Sequence, residues 1–188
     1  MTSDSFDLEP PSRAATDPWN VFRYEVTMYW GMIRVREQIS TAGTWNIVLG
    51  TRSNDGDSNK IDKSQKQLVM NAMIEGKLLH MRVLVEIMLG KSKSSDDLSL
   101  DDLIRKWKGD KQLSAALSLL SKAYGNTKTP DSPCWIINKM MAHPTTFRMS
   151  SFDYSALFHA VDPHIKKCVR RVSEIKSDHY LLMLLDQV

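Results

Sequence analysis

The feature that most restricts the fold is an apolar stretch in the first half of the chain, which ends at Gly90. A glycine directly after an apolar periodic run is a common end signal for a helix, so we predict a helix from about Asp62 to Leu89. Its middle is apolar on nearly every face, and a helix of this kind lies at the centre of a bundle. The apolar residues are Leu68, Val69, Met73, Leu78, Leu79, Met81, Val83, Leu84, Val85 and Ile87.

A second long helix is predicted before this one. Aspartate is a good N-cap and proline fits the first helical turn, so Asp17 and Pro18 mark a start, and the helix runs to about Ser40. Its apolar side chains fall within about 100° of arc at 3.6 residues per turn. This face, which we expect to be buried, consists of Trp19, Phe22, Val26, Tyr29, Trp30 and Ile33.

Two more helices are predicted in the middle of the chain. The first is short and spans Asp101–Trp107, with Ser99 or Asp101 as its cap. The second is capped by Asp110, carries apolar residues up to Tyr124 and is stopped by Gly125.

The last third of the chain predicts two further helices. One begins after Ser132–Pro133 and runs from Cys134 to about His143, because Pro144 disfavours helix at the preceding residue. The other starts near Asp153, and Pro163 either kinks it or splits it in two. Beyond the proline, one face is apolar and the other basic. The apolar face comprises Ile165, Cys168, Val169, Val172, Ile175 and His179, and the basic face Lys166, Lys167, Arg170 and Arg171.

Together these segments predict an all-α fold, an antiparallel helical bundle of four or five major helices. The length of 188 residues, with 42% hydrophobic and 25% charged residues, is typical of one globular domain. We place this domain at residues 18–188 and expect residues 1–17, which are polar and contain two prolines, to form a disordered tail. No apolar run approaches the roughly 18 residues of a membrane span, and the acidic N-terminus does not resemble a signal peptide. We therefore expect a cytoplasmic protein that does not contact a membrane.

Several kinds of functional site are excluded by the motifs. The chain has no phosphate-binding glycine loop, no GxSxG elbow and no HExxH zinc helix. His159 and His164 are on opposite sides of Pro163 and lack the spacing of metal ligands. We therefore expect neither a metal nor a cofactor. The net charge of +3 permits nucleic-acid binding without favouring it.

Polar residues within the apolar helical segments are the remaining candidates for a site. They are Glu75, His80 and Arg82 in one segment, and Asn138, His143 and Arg148 in the segment INKMMAHPTTFR. Burying a charged group costs several kcal/mol unless it is paired and hydrogen-bonded, so we hypothesise that the two groups meet in one cleft. Two interpretations stay open at this point. The residues form a structural polar network, or they form an acid–base or phosphate-contacting site.

Two sequence blocks resemble a family of small helical proteins. NAMIEGKLLHMRVLVEIMLGKSKSSDDLSLDD has a glutamate, His-x-Arg and a Ser/Asp-rich turn, and INKMMAHPTTFR has Asn-Lys, then Ala-His and an arginine. Both blocks are similar to HEPN domains, helical bundles that include ribonuclease toxins and nucleotide-binding pseudoenzymes. On this resemblance His143 corresponds to the HEPN histidine and Asn138 to its polar neighbour, while the HEPN arginine falls on Ile137. Arginine and histidine bind and polarise the scissile phosphate in that family, and isoleucine does neither.

Three functions follow as hypotheses. The first is a HEPN-like protein that binds a nucleotide or RNA and is impaired as a ribonuclease, with Asn138 and Lys139 as ligand-binding residues and His143, Arg148 and Arg82 as the candidate catalytic groups. The second is a small metal-independent enzyme that acts on an organic metabolite, with His143 or His80 and Glu75 as an acid–base pair. The third is a dimeric interaction module without catalysis. The resemblance also implies a homodimer.

Overall fold

The computed structural model describes residues 17–41, 63–90, 94, 97–142 and 154–188, with only the backbone for residues 33–41, 63–67 and 142. This part of the chain contains seven α-helices and no strand, so the predicted all-α bundle is confirmed. The helices are α1 (Pro18–Thr41), α2 (Lys63–Leu89), α3 (Leu100–Leu103), α4 (Lys111–Tyr124), α5 (Pro133–Ala142), α6 (Tyr154–Lys176) and α7 (His179–Asp186). The predicted disordered tail lies outside the described residues except for Asp17.

The bundle is built around two helix pairs. Helix α1 packs along α2, and α4 packs along α6. Helix α2 also contacts α4, α5 and α6, so it lies at the centre of the bundle, as its apolar sequence predicts. Helix α7 closes the bundle against α6 and α1. Among the described residues no helix is both long and apolar enough to cross a membrane.

Helix α1 begins where the sequence predicts. The carboxylate of Asp17 accepts a hydrogen bond from the backbone N–H of Trp19 at 3.1 Å, which satisfies one of the free donors of the first turn. The predicted apolar face is confirmed where its side chains are described: Phe22, Val26, Tyr29 and Trp30 are buried, and Trp19 is half-buried.

Helix α2 ends at Leu89, and Gly90 follows with φ +59°, a left-handed conformation that glycine adopts without strain. The apolar residues of α2 are not all buried. Leu84 and Val85 are fully buried, but Leu79 is 46% exposed and Leu68 is 68% exposed. The neighbouring helices leave one strip of α2 uncovered. A helix that is apolar on every face is therefore not packed against other helices on every face.

The predicted helix Asp101–Trp107 is replaced by two shorter elements. Helix α3 ends at Leu103 because Ile104 is extended and Lys106 is left-handed (φ 68°), and a 3₁₀ turn follows at Trp107–Gly109. The predicted cap is confirmed at Ser99. Its backbone N–H and hydroxyl both donate to the carboxylate of Asp102, at 2.8 and 2.7 Å.

The last predicted helix is two helices, α6 and α7. Pro163 does not split α6, which continues through it. The break comes later, where Ser177 is left-handed (φ 53°) and the carboxylate of Asp178 caps α7 by accepting from the N–H of Leu181 at 3.0 Å. His179 therefore lies on α7 and is exposed, and its predicted place on the apolar face of the preceding helix is wrong. Asp178 also joins α7 to α1, because it accepts a hydrogen bond from the indole N–H of Trp19 at 3.0 Å.

Candidate functional site

The predicted site residues are divided between described and undescribed parts of the chain. Glu75, His80 and Arg82 lie on α2, and Asn138 and Lys139 lie on α5. His143 and Arg148 lie outside the described residues. The hypothesis of a single cleft that includes His143 and Arg148 therefore stays a prediction.

His80 is paired with a carboxylate of α1. Its Nδ1 is 2.7 Å from Oε2 of Glu25, and the two side chains are only 11% and 13% exposed. The ring of Tyr24 stands edge-on to the imidazole, with 6.0 Å between the ring centroids. Glu75, the carboxylate that the sequence suggested as the partner of His80, is exposed. Residues five apart on a helix point about 140° away from each other, which explains why α1 supplies the carboxylate instead.

The contact between His80 and Glu25 orients the imidazole. An ionised carboxylate only accepts hydrogen bonds, so the ring donates its Nδ1–H to Glu25, and in the neutral ring Nε2 is then the acceptor. A carboxylate that holds one ring nitrogen in this way is also how histidine bases are oriented in enzymes. The pair is therefore compatible with a structural role and with a role in acid–base catalysis.

A second buried pair, which the sequence did not reveal, lies one turn away on α2. Nζ of Lys77 is 2.7 Å from Oδ2 of Asp162 on α6, and it lies 3.7 Å from the ring centroid of Phe158. The hydroxyl of Tyr29 on α1 donates to the other oxygen of Asp162. Burial, and after it the charge of Asp162, raise the pKa of Tyr29 well above its ordinary value. The sequence signal for this pair is a lysine within an apolar helix, whereas an aspartate directly before a proline, as at Asp162, is typical of a helix start and does not indicate a buried partner.

We call these two neighbouring clusters together the buried polar layer, which consists of Glu25, Tyr29, Lys77, His80 and Asp162. Lys77 and His80 are three residues apart on α2, and Glu25 and Tyr29 are four apart on α1, so each pair of residues shares a helix face. Each of the five side chains has a polar partner within the layer. A fully satisfied polar network of this kind fixes how helices register against each other.

Arg82 has different neighbours from His80. Its Nε donates to Oε1 of Glu86 at 2.8 Å, and the two side chains are 38% and 42% exposed. This hydrogen bond raises the pKa of the guanidinium, and the charges of Tyr124 on α4 and Cys134 on α5 act in the same direction. Arg82 therefore pairs within α2 and interacts electrostatically with α4 and α5, whereas His80 contacts α1.

We define the α2–α5 seam as Arg82 and its electrostatic partners Glu86, Tyr124 and Cys134, together with Asn138 on α5. Burial raises the pKa of the Tyr124 phenol well above its ordinary value, and its electrostatic partners are Cys134, Glu86 and Arg82. Asn138 follows Cys134 by one helical turn and shares its face of α5. Trp135 and Lys139 each follow a seam residue of α5 by one position, and both are half-buried. Nζ of Lys139 lies 5.7 Å from the ring centroid of Trp135.

Ile137 on α5 points into the hydrophobic core. Its side chain is 1% exposed and belongs to the hydrophobic core. The position onto which the resemblance maps the HEPN arginine is therefore inside the bundle, away from solvent.

No group of three or more histidine, cysteine, aspartate or glutamate side chains is placed to hold a metal ion among the residues that the structure covers. Comparison of the chain with known protein families, with curated proteins and with solved structures finds no match.

Proposed function

We propose that this protein binds a nucleotide or RNA at the α2–α5 seam and is impaired as a ribonuclease. The observation that carries the proposal is the half-exposed guanidinium of Arg82 at the junction of α2 and α5, with Asn138 on the facing helix. Lys139 and Trp135 extend the same region with a cation and an aromatic ring.

The chemistry of these residues suits a nucleotide. Among the described residues Glu86 accepts the Nε–H of Arg82, and a guanidinium has four further N–H donors that match phosphate oxygens. The amide of Asn138 provides both a donor and acceptors for the edge of a base. Trp135 offers a ring of the kind on which bases stack, a contact worth about 1–3 kcal/mol per base in other proteins.

The buried side chain of Ile137 supports impaired cleavage. An apolar side chain that points into the core neither binds nor polarises a phosphate. An arginine at the same position would bury an unpaired charge, at a cost of several kcal/mol.

Ligand titration of the full chain tests the proposal, with ATP and a labelled 12-nucleotide single-stranded RNA as probes. Arg82→Ala should weaken binding about 10-fold or more, because a hydrogen bond to a charged group contributes about 1.5–3 kcal/mol. Arg105→Ala, which removes an exposed arginine after α3, is the matched control and should leave affinity unchanged. The labelled RNA should stay intact. Failure of both probes to bind, or equal affinity of the Arg82→Ala variant, would contradict the proposal.

An acid–base enzyme acting on an organic metabolite is the second candidate, and the His80–Glu25 pair favours it. The question is whether a molecule reaches Nε2 of an imidazole that is largely buried. Modification with diethyl pyrocarbonate, followed by peptide mass spectrometry, answers it, with exposed His159 as the internal reference. Reaction of His80 at a rate close to that of His159 would support the enzyme. An unreactive His80 would leave the pair a structural role.

The homodimer implied by the resemblance remains part of the proposal. Analytical ultracentrifugation over a range of concentrations measures it directly, and a monomer at all concentrations would remove it.

A further inference from the structure

A groove of about 530 Å³ lies between α4 and α6, and none of its lining residues belongs to the buried polar layer. Ala115 and Ala116 are among its lining residues, and small side chains allow a ligand to approach the helix backbone closely. Its charged lining residues come from both helices: Lys111 from α4, and Lys167, Arg170, Arg171 and Glu174 from α6. We call this site the α4–α6 groove.

The two arginines of the groove are held in place by carboxylates. Arg171 donates from Nη2 to Asp110 at 2.6 Å and from Nη1 to Glu174 at 2.8 Å. Arg170 donates to Asp186 on α7 at 2.5 Å. The hydrogen bond from Arg171 lowers the pKa of Asp110, so this carboxylate stays ionised and the arginine stays fixed at neutral pH. Three carboxylates thus pair with two arginines, so the charges of these arginines are more than offset.

The two lysines carry the positive charge that remains. Lys111 and Lys167 are both exposed. Across the described residues, neither has a carboxylate within ion-pairing distance. They stand on opposite walls of the groove, one on each helix. Cations on two walls of an open groove attract a chain that carries negative charge along its length.

We propose that the α4–α6 groove holds backbone phosphates of RNA, so that the ligand is an RNA strand of several nucleotides rather than a free nucleotide. This inference rests on the proposed function at the α2–α5 seam. The groove lies at the first residue of α4 and the seam at its last, Tyr124. Thirteen residues, at a rise of 1.5 Å and a turn of 100° each, place them about 20 Å apart along α4 and about 140° apart around it. A ligand that contacts both sites therefore passes around α4 and is longer than about six nucleotides, at roughly 3.4 Å per stacked nucleotide.

Binding of AMP and of the 12-nucleotide RNA, measured by fluorescence anisotropy or competition at 50 and 200 mM salt, tests the inference. The variant Lys111→Glu/Lys167→Glu should bind the RNA at least 10-fold more weakly at 50 mM salt and leave AMP binding unchanged. The slope of log affinity against log salt should fall by about 1.4, since each phosphate contact to a single strand contributes about 0.7. The control variant is Arg105→Glu/Lys106→Glu, which reverses two charges on an exposed turn outside the groove and the seam.

The outcomes separate the two proposals. If Arg82→Ala weakens AMP binding but the lysine variant binds the RNA like wild type, the groove inference is overturned and the proposed function stands. Equal affinity of wild type for AMP and for the RNA also overturns it. If neither probe binds, both proposals fail. A poly-glutamate peptide that competes with the RNA at equal concentration would show an acidic-protein site instead. Circular dichroism and thermal melting verify that each variant is folded.

Discussion

Replacement of Lys77 by methionine tests whether the buried polar layer stabilises the fold. Methionine keeps most of the aliphatic stem and removes the ammonium group, which is 2.7 Å from Asp162 and 3.7 Å from the ring centroid of Phe158. Removing one partner of a buried ion pair costs about 3–5 kcal/mol. Asp162 is 27% exposed and keeps the hydrogen bond from Tyr29, so water partly compensates its charge. We therefore expect a loss of about 2–4 kcal/mol in the free energy of unfolding.

The assay is urea unfolding at 25 °C, followed by circular dichroism and by tryptophan fluorescence, whose agreement verifies a two-state transition. Lys122→Met on the exposed face of α4 is the matched control, and it should stay within about 0.5 kcal/mol of wild type. Asp162→Asn should also destabilise, because it leaves the ammonium of Lys77 buried without its counter-charge. The double variant should cost at least about 1 kcal/mol less than the sum of the two single variants.

Two results would refute this reasoning. A Lys77→Met variant as stable as the control would show that the pair contributes nothing to folding. Strict additivity of the two single variants would show that Lys77 and Asp162 do not interact in solution.

Three further predictions concern the core and the caps. Leu84→Ala should cost about 2–5 kcal/mol in the free energy of unfolding and Leu79→Ala under about 1 kcal/mol, because only the first leucine is buried; equal costs in urea unfolding would contradict the burial. Burial raises the pKa of Cys168 to about 12, so at pH 8 only roughly one thiol in ten thousand is ionised. Cys168 should react with an aromatic disulfide reagent far more slowly than half-buried Cys134, and similar reaction rates would contradict the burial of Cys168. Asp178→Ala should cost about 2–4 kcal/mol, because it removes the cap of α7 and leaves a donor of α1 unpaired; an unchanged melting temperature would mean that α7 does not depend on this cap.

Most helix ends follow from local chemistry and were predictable. Asp17 and Pro18 start α1, Asp110 and Gly125 bound α4, and Gly90 ends α2, because a cap or a left-handed glycine acts within one turn of its own chain. Asp178 is a cap of the same kind, but it was not predicted, because the apolar periodicity continues past Ser177 and indicates one uninterrupted helix. Of the two alternatives for Pro163, a kink or a split, the split is wrong, because α6 continues through the proline.

The candidate site was less predictable, because its contacts join residues that are distant in the chain. The sequence identified His80 and Arg82 as polar residues in an apolar helix, but it identified neither their partners nor the pairing of Lys77. His80 pairs with a residue 55 positions earlier, and Lys77 pairs with one 85 positions later. No local pattern encodes such a pairing.

The sequence by itself determined the all-α class, the order of the long helices and the face that α1 buries, since periodicity and capping act over a few residues. Only the tertiary structure decided which strip of α2 stays uncovered, at Leu79 rather than Leu84. It also decided that His80 turns to α1 while Arg82 turns to α4 and α5. The physical reason is that a helix with apolar residues on every face has no preferred orientation of its own. Its orientation is set by the neighbours that can satisfy its few charged side chains.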